Sequence, residues 1–285
     1  MRLAVSNIAW DRGEDTAVLA TLKQRGVAGI EIAPTRLWPD WQGATEVAAR
    51  ALRFRLAAQG FAVPALQAIL FGKTKLALFG DAAITAEFID HIRHVADLAA
   101  ELGAHAMVFG APKARRRGKL DMATALKRAV ETFIQIGSHC VQRGVALCIE
   151  PNPPSYDCDF VINSAEGLEL VKQVNSPGVR LHLDSAAMKL AGEDPGAAIA
   201  AAKPWLAHFH VSEPNLAPIV PATIDHAANA DHLEKAGYKD WVSIEMRRTG
   251  RPVESVVAAV EHVQRCYGDR LTKQASVAGY GAVVQ

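Results

Sequence analysis

The feature that most constrains this chain is an alternation that runs through it eight times. Short apolar and β-rich runs read as strands: RLAVSNIA from Arg2, AGIEIA from Ala28, VPALQAI from Val63, HAMVFG from His105, VALCIE from Val145, VRLHLD from Val179, LAHFHV from Leu206 and WVSIEM from Trp241. Longer segments with helical spacing lie between them, among them DTAVLATLKQRG, AAITAEFIDHIRHVADLAAELG and MATALKRAVETFIQIGSHCVQRG. Several of these end in a glycine just before the next strand, at Gly26, Gly103, Gly144 and Gly237. Glycine there takes the left-handed turn that ends a helix. Eight β-then-α units require parallel strands joined by helical crossovers, and closure into a single-domain (β/α)8 barrel over residues 1–267 is the simplest architecture. An open doubly wound sheet would carry a G-x-G-x-x-G turn after the first strand, and SNIAWDRGED has none. Residues 268–285, with weak periodicity, read as a C-terminal tail.

Bulk properties narrow the function. The 285 residues are half hydrophobic, enough to bury a large core. A formal net charge of +1 leaves no global field that draws the chain to nucleic acid or a membrane surface. The four cysteines, Cys140, Cys148, Cys158 and Cys266, form no C-x-x-C pair and no disulfide scaffold. No apolar signal segment opens the chain and no run is long enough to span a bilayer, so a cytoplasmic location is expected, with homo-oligomer formation left open.

In such a barrel the chemistry sits where strands end. The last four strands end in Glu150, Asp184, His210 and Glu245. Alternation along each strand puts Ala146, Cys148 and Glu150 on one face, and likewise Arg180, His182 and Asp184. The same holds for Leu206, His208 and His210, and for Ser243 and Glu245. The apolar alternates fit the outer helices, so this polar set faces the barrel axis. Three carboxylates and an imidazole converging at one end repel one another unless a cation joins them. Mostly oxygen donors suit one divalent ion, Mn²⁺ first, with Mg²⁺, Co²⁺ or Zn²⁺ as alternatives. His182 and His208 lie one layer below and are expected to support the ligands by hydrogen bonding.

The runs CIEPNP, LHLDSA, HFHVSEP and GYKDWVSIEM, in this order at strand ends, resemble the sugar phosphate isomerase/epimerase superfamily, the xylose isomerase-like TIM barrels. The resemblance covers all eight strands. It implies a metal held by Glu150, Asp184, His210 and Glu245, as in the ketose 3-epimerases. It also implies that Glu150 and Glu245 form an acid/base pair moving protons through a metal-stabilised enediolate. Two positions depart from that pattern: Ala187 stands where those enzymes carry a histidine, and Leu216 where they carry an arginine.

Other groups are candidates for the substrate. Lys113, Arg115, Arg116 and Arg117 follow the fourth strand and are expected at the mouth, gripping an anionic group, as is Arg247 in phase with Glu245. Glu31, Gln67 and Glu213 read as hydroxyl contacts, and Trp10, Trp38 and Phe71 as pocket walls. The reading is a metal-dependent isomerase or epimerase of a small carbohydrate. A dehydratase, lyase or aldolase sharing the proton-abstraction step, or a non-catalytic sugar-binding member, are the alternatives. A DNA-repair enzyme of the endonuclease IV type needs several more histidine ligands than this chain supplies.

Overall fold

The computed structural model describes residues 1–272. Among them, β1 (Arg2–Ser6), β2 (Gly29–Glu31), β3 (Ala65–Leu66), β4 (Ala106–Phe109), β5 (Ala146–Ile149), β6 (Val179–Asp184), β7 (Leu206–Ser212) and β8 (Trp241–Glu245) form one parallel sheet. Its hydrogen-bonded order is β2-β1-β8-β7-β6-β5-β4-β3. The ring closes through two isolated bridges, Gly29 to Ala62 and Ile32 to Leu66: Ile30 N donates to Ala62 O at 2.9 Å, Ile32 N to Ala65 O at 3.0 Å, and Gln67 N to Ile32 O at 2.9 Å. The expected (β/α)8 barrel is therefore the fold.

The helices between the strands are α1 (Asp15–Gln24), α2 (Glu46–Ala58), α3 (Ala82–Leu102), α4 (Met122–Arg143) and α5 (Ser164–Val174). They continue with α6 (Ser185–Leu190), α7 (Pro195–Ala202), α8 (His226–Lys235) and α9 (Pro252–Tyr267). The two longest show why the sequence folds this way. Asp81 caps α3 and Asp121 caps α4, each accepting a backbone N–H of the first turn at 2.9 Å. Both end on a left-handed glycine, Gly103 (φ 78°) and Gly144 (φ 69°). Between the caps, Phe88, Ile92, Val95, Ala99 and Leu102 make one buried stripe, and Ala125, Ala129, Phe133, Ile136 and Cys140 the other. These stripes pack on β4, β5 and β6, whose outward residues Met107, Phe109, Leu147, Ile149, Leu181 and Leu183 are buried in the same core cluster.

Inside the barrel the side chains are small. Ala65, Ala106, Ala146 and Cys148 form a separate buried cluster with Ala207 against it. These residues leave room inside for the imidazoles of His182, His208 and His210, each 1 % exposed or less.

Three expectations need correction. The first strand ends at Ser6, where Ser6 Oγ caps a turn over Asn7–Ala9. The third shrinks to two residues, between Pro64 and the left-handed Ala68 (φ 52°). Leu206 was expected inside, yet it joins the outer core. The cause is a register shift: Leu181 pairs with Leu206, but His182 pairs with His208, so Ala207 is an extra residue on β7. Beyond that bulge the expected phase holds. Within the expected tail, residues 268–272 are tied to the first residue: Met1 N donates to Arg270 O at 2.6 Å and Thr272 N to Met1 O at 2.7 Å. The rest of the expected tail lies outside the described residues.

Ala106→Leu tests the small inner layer. Added bulk there has no open side to move into, so a loss of about 1–3 kcal/mol is expected in a denaturant melt. A wild-type midpoint would mean that the interior is not close-packed at this level.

Candidate metal centre

His210, near the end of β7, organises the site. Its Nδ1 lies 3.3 Å from Glu245 Oε2, 3.8 Å from Asp184 Oδ2 and 4.0 Å from Glu150 Oε1. The four residues expected to converge do so, at the C-terminal ends of β5 to β8. On the opposite edge of the ring, Nε2 lies 3.0 Å from Glu31 Oε1, itself completely buried. A carboxylate at Nε2 holds the proton there and turns the Nδ1 lone pair toward the three other carboxylates. Nδ1 is buried and has no hydrogen-bond partner. A buried, unpartnered nitrogen ringed by carboxylate oxygens is the donor set that a divalent cation takes.

Each carboxylate is aimed by local structure. Asp184 ends β6 and caps α6, with Oδ1 accepting from Ala187 N at 2.7 Å and Oδ2 from Ser212 Oγ at 2.6 Å. Ser212 is braced in turn by Ser185, whose Oγ accepts from Ser212 N at 2.8 Å. Glu150 stands one residue past β5, with Oε2 packed over Gly110. A Cβ on Gly110 would sit 1.8 Å from that oxygen, so only glycine fits beneath this rotamer. Glu245 ends β8.

Below this level lies a polar layer. Ser243 Oγ donates to Glu31 Oε2 at 2.6 Å, and His208 Nε2 is 3.2 Å from Glu31 Oε1. His182 stacks edge-on against His210 at 4.2 Å between ring centroids, and its Nδ1 is 3.5 Å from Glu150 Oε1.

Without a cation the cluster is strained electrostatically. Burial, then Asp184 and Glu245, push the Glu150 carboxyl up to about 8. Burial and Glu245 push Asp184 up to about 6. Burial works against a charge on His210, but Glu31 and Glu245 outweigh it and hold the imidazole well above its ordinary value. Burial likewise opposes ionisation of Glu31, yet His210 and His208 hold it well below the usual carboxylate range.

The remaining candidates fall elsewhere. Glu31 serves the histidines from below. Gln67 donates to Ser6 Oγ at 2.7 Å inside the barrel. Glu213 is buried and accepts from Thr223 N, Ile224 N and the His226 ring, which ties down the loop after β7. Arg115 was expected at the mouth but is 1 % exposed, its guanidinium turned inward. Arg116 pairs with Asp157, and Arg117 binds the backbone of Asp159, so those two hold the loop after β5. Lys113 and Arg247 are exposed. Of the expected walls, Trp10 is buried with Nε1 on Asp15, Trp38 is half-buried and Phe71 is 68 % exposed.

Sequence reasoning missed Ser212, Gly110 and Tyr156. Ser212 had a usable signal, since it is two residues beyond His210 and so in phase with it. Tyr156 had none. It lies in the loop after β5, close enough that burial and the charges of Asp184, Glu150 and Glu245 raise its phenol.

A parallel (β/α)8 barrel with three carboxylates and a histidine on its last four strands defines a class of metal-site barrels. The chain belongs to the xylose isomerase-like TIM barrel family, whose model matches residues 19–266. It is 26% identical over 167 residues to L-ribulose 3-epimerase of Mesorhizobium japonicum, covering 58% of this chain and 56% of that protein. It is 33% identical over 96 residues to D-psicose 3-epimerase of Agrobacterium fabrum, covering 34% of this chain and 33% of that protein. The chain thus matches about half and a third of these curated relatives' lengths. The crystal structure of D-psicose 3-epimerase with D-tagatose from Clostridium cellulolyticum H10 superposes with a TM-score of 0.77 at 17% identity, over 94% of this chain and 99% of that one. At that identity the likeness establishes the fold. Among the described residues no helix is long and apolar enough to cross a membrane.

Two measurements follow. Gly110→Ala forces Glu150 aside, so divalent-metal affinity should drop on the order of 10–100-fold while the barrel stays folded. Unchanged affinity would mean that Glu150 is not a ligand in this rotamer. The second concerns pH. Carboxyls with raised folded-state values stabilise the metal-free protein at low pH, and that contribution is lost as pH rises through about 6 for Asp184 and about 8 for Glu150. A bound cation removes this penalty. The melting-temperature gain from saturating Mn²⁺ should therefore grow from pH 6 to pH 8, and a gain independent of pH would contradict the assignment.

Proposed function

We propose that the chain is a divalent-metal-dependent isomerase or epimerase acting on a small sugar, sugar acid or sugar phosphate. The observation that carries the reading is His210 Nδ1, buried, unpartnered and faced by three carboxylates. Glu150, Asp184, His210 and Glu245 would hold the ion; three carboxylates suit a hard ion and the one imidazole turns the preference to Mn²⁺, with Mg²⁺, Co²⁺ or Zn²⁺ as alternatives. When bound, the ion supplies Lewis-acid polarisation of a substrate carbonyl, which acidifies the neighbouring C–H.

The chain's own part is proton transfer. Both oxygens of Asp184 already accept hydrogen bonds, which holds its carboxylate in place and supports a ligand role over a proton-carrying one. Glu150 and Glu245 come from β5 and β8, with β6 and β7 between them, so their carboxylates approach a small ligand from two sides. One takes a proton from carbon and the other returns one, which is what inversion or isomerisation at that carbon requires. The two curated relatives, both named as 3-epimerases, support the same reading.

A dehydratase, lyase or aldolase begins with the same abstraction. Ala187 and Leu216 keep that alternative in view, because they stand where the ketose 3-epimerase pattern has a histidine and an arginine. Incubation of the Mn²⁺-loaded protein with a panel of ketoses, sugar acids and sugar phosphates in deuterated water separates the two. Deuterium at carbon without loss of water or fragmentation favours the isomerase, whereas loss of water or cleavage favours the lyase group.

Glu150→Gln and Glu245→Gln keep an oxygen donor but accept no proton. Each should lose roughly two or more orders of magnitude in turnover, with metal still bound. Near-normal turnover in both would assign proton transfer to other groups. Asp184→Ala and His210→Ala should lose metal occupancy, read directly by metal analysis.

A further inference from the structure

The loop after β4 and the loop after β5 are joined residue by residue. Arg116 pairs with Asp157, Arg117 with Asp159, and Arg115 reaches between them to Cys158. The outer two arginines hold the surface of the junction. Arg115 is different, because it is 1 % exposed and carries a full charge into the interior. Its three contacts all go to uncharged groups: Nε to Cys158 Sγ at 3.3 Å, one terminal nitrogen to Phe109 O at 3.2 Å, the other to Val161 O at 3.4 Å.

Two of those acceptors also hold the backbone around Glu150. Phe109 O accepts from Glu150 N at 3.2 Å, and Val161 O accepts from Asn152 N at 3.1 Å. Asn152 Nδ2 closes back onto Glu150 O at 3.2 Å. One planar guanidinium therefore bridges the two carbonyls that flank the residue expected to bind metal from β5. An ammonium cannot span both, since it has no rigid fork. Burying a guanidinium with no carboxylate in hydrogen-bond contact is costly; the charge of Arg115 acts on Glu150, and it lies 5.7 Å from the Phe109 ring centroid.

We propose that Arg115 is a positioning residue for Glu150: it locks the Phe109 and Val161 carbonyls and so sets where the Glu150 carboxylate meets the ion. The inference rests on the metal-centre reading given above. With its donors engaged by its own loops, Arg115 does not grip substrate, and Arg115, Arg116 and Arg117 brace the loops beside the centre instead of forming an anion site.

The test is Mn²⁺ affinity, read from free Mn²⁺ by electron paramagnetic resonance, with no substrate present. Arg115→Met should weaken binding on the order of 10–100-fold, as loss of a group supporting a ligand does. Arg115→Lys should recover part of that affinity, and Arg116→Ala should stay near wild type. In turnover assays kcat should fall in Arg115→Met with KM nearly unchanged. Wild-type affinity in a folded Arg115→Met overturns the proposal. If that variant fails to fold, Arg115→Lys decides, and wild-type affinity there overturns it equally. Weakened Mn²⁺ binding in a protein with no isomerase activity would support Arg115's role while removing the isomerase reading. A wild-type protein that binds no Mn²⁺ would overturn both.

Discussion

Much of this structure can be read as the consequence of placing three carboxylates around one buried imidazole. Unpaired charges in a low-dielectric interior are expensive, and like charges at this spacing more so. The chain meets that cost with neutral donors where it can, a serine hydroxyl and a helix N-terminal amide on Asp184, and sets the His210 imidazole facing all three carboxylates. It then places a fourth carboxylate, Glu31, behind the imidazole. Adding negative charge beneath a negative cluster makes sense only if the imidazole must be oriented, and Glu31 fixes which nitrogen faces the centre. Without a cation, burial and the neighbouring carboxylates favour protons on Glu150 and Asp184, whose carboxyls are pushed up to about 8 and about 6.

The polar layer under the centre explains the odd composition of the barrel interior. Three histidines cannot stack inside a ring of branched aliphatic side chains. Here alanines and a cysteine from β3, β4 and β5 face them from the opposite wall. Small residues on one side and imidazoles on the other fill the same cross-section. The bulge at Ala207 belongs to this solution: it puts Leu206 outside and keeps His208 and His210 inside on the same strand.

How far the sequence discloses this depends on the kind of information each residue carries. Strand alternation has a period of two, so the inward facing of Asp184, His210 and Glu245 was legible, and so was the fold from eight repeats of one unit. Leu206 was misread because one inserted residue reverses the facing on the near side of a bulge, and nothing in LAHFHV marks the insertion. Ser212 continued the same phase and was available but unused. Arg115 was not legible at all. Three consecutive arginines look alike in sequence, and only the packing of two loops decides that the first goes in while its neighbours stay outside. Loop residues such as Tyr156 carry no periodicity that would place them over the site.

The same distinction bears on specificity. The candidate ligands stand at strand ends, where backbone hydrogen bonding fixes position, whereas the groups that choose a substrate in such barrels commonly stand on loops. Ala187 lies in the first turn of α6, with its backbone amide on Asp184, so a side chain there would reach the centre directly. Leu216 accepts at its carbonyl from Arg247 N at 2.9 Å, which ties the loop after β7 to the end of β8. A methyl and an isobutyl group at those two positions contribute no hydrogen bond to a sugar hydroxyl. Arg247 and Lys113, both expected to meet the substrate, are exposed. Both positions touch the cluster's surroundings through backbone atoms alone, so their side chains can differ from the ketose 3-epimerase pattern while the carboxylate–imidazole cluster keeps its geometry.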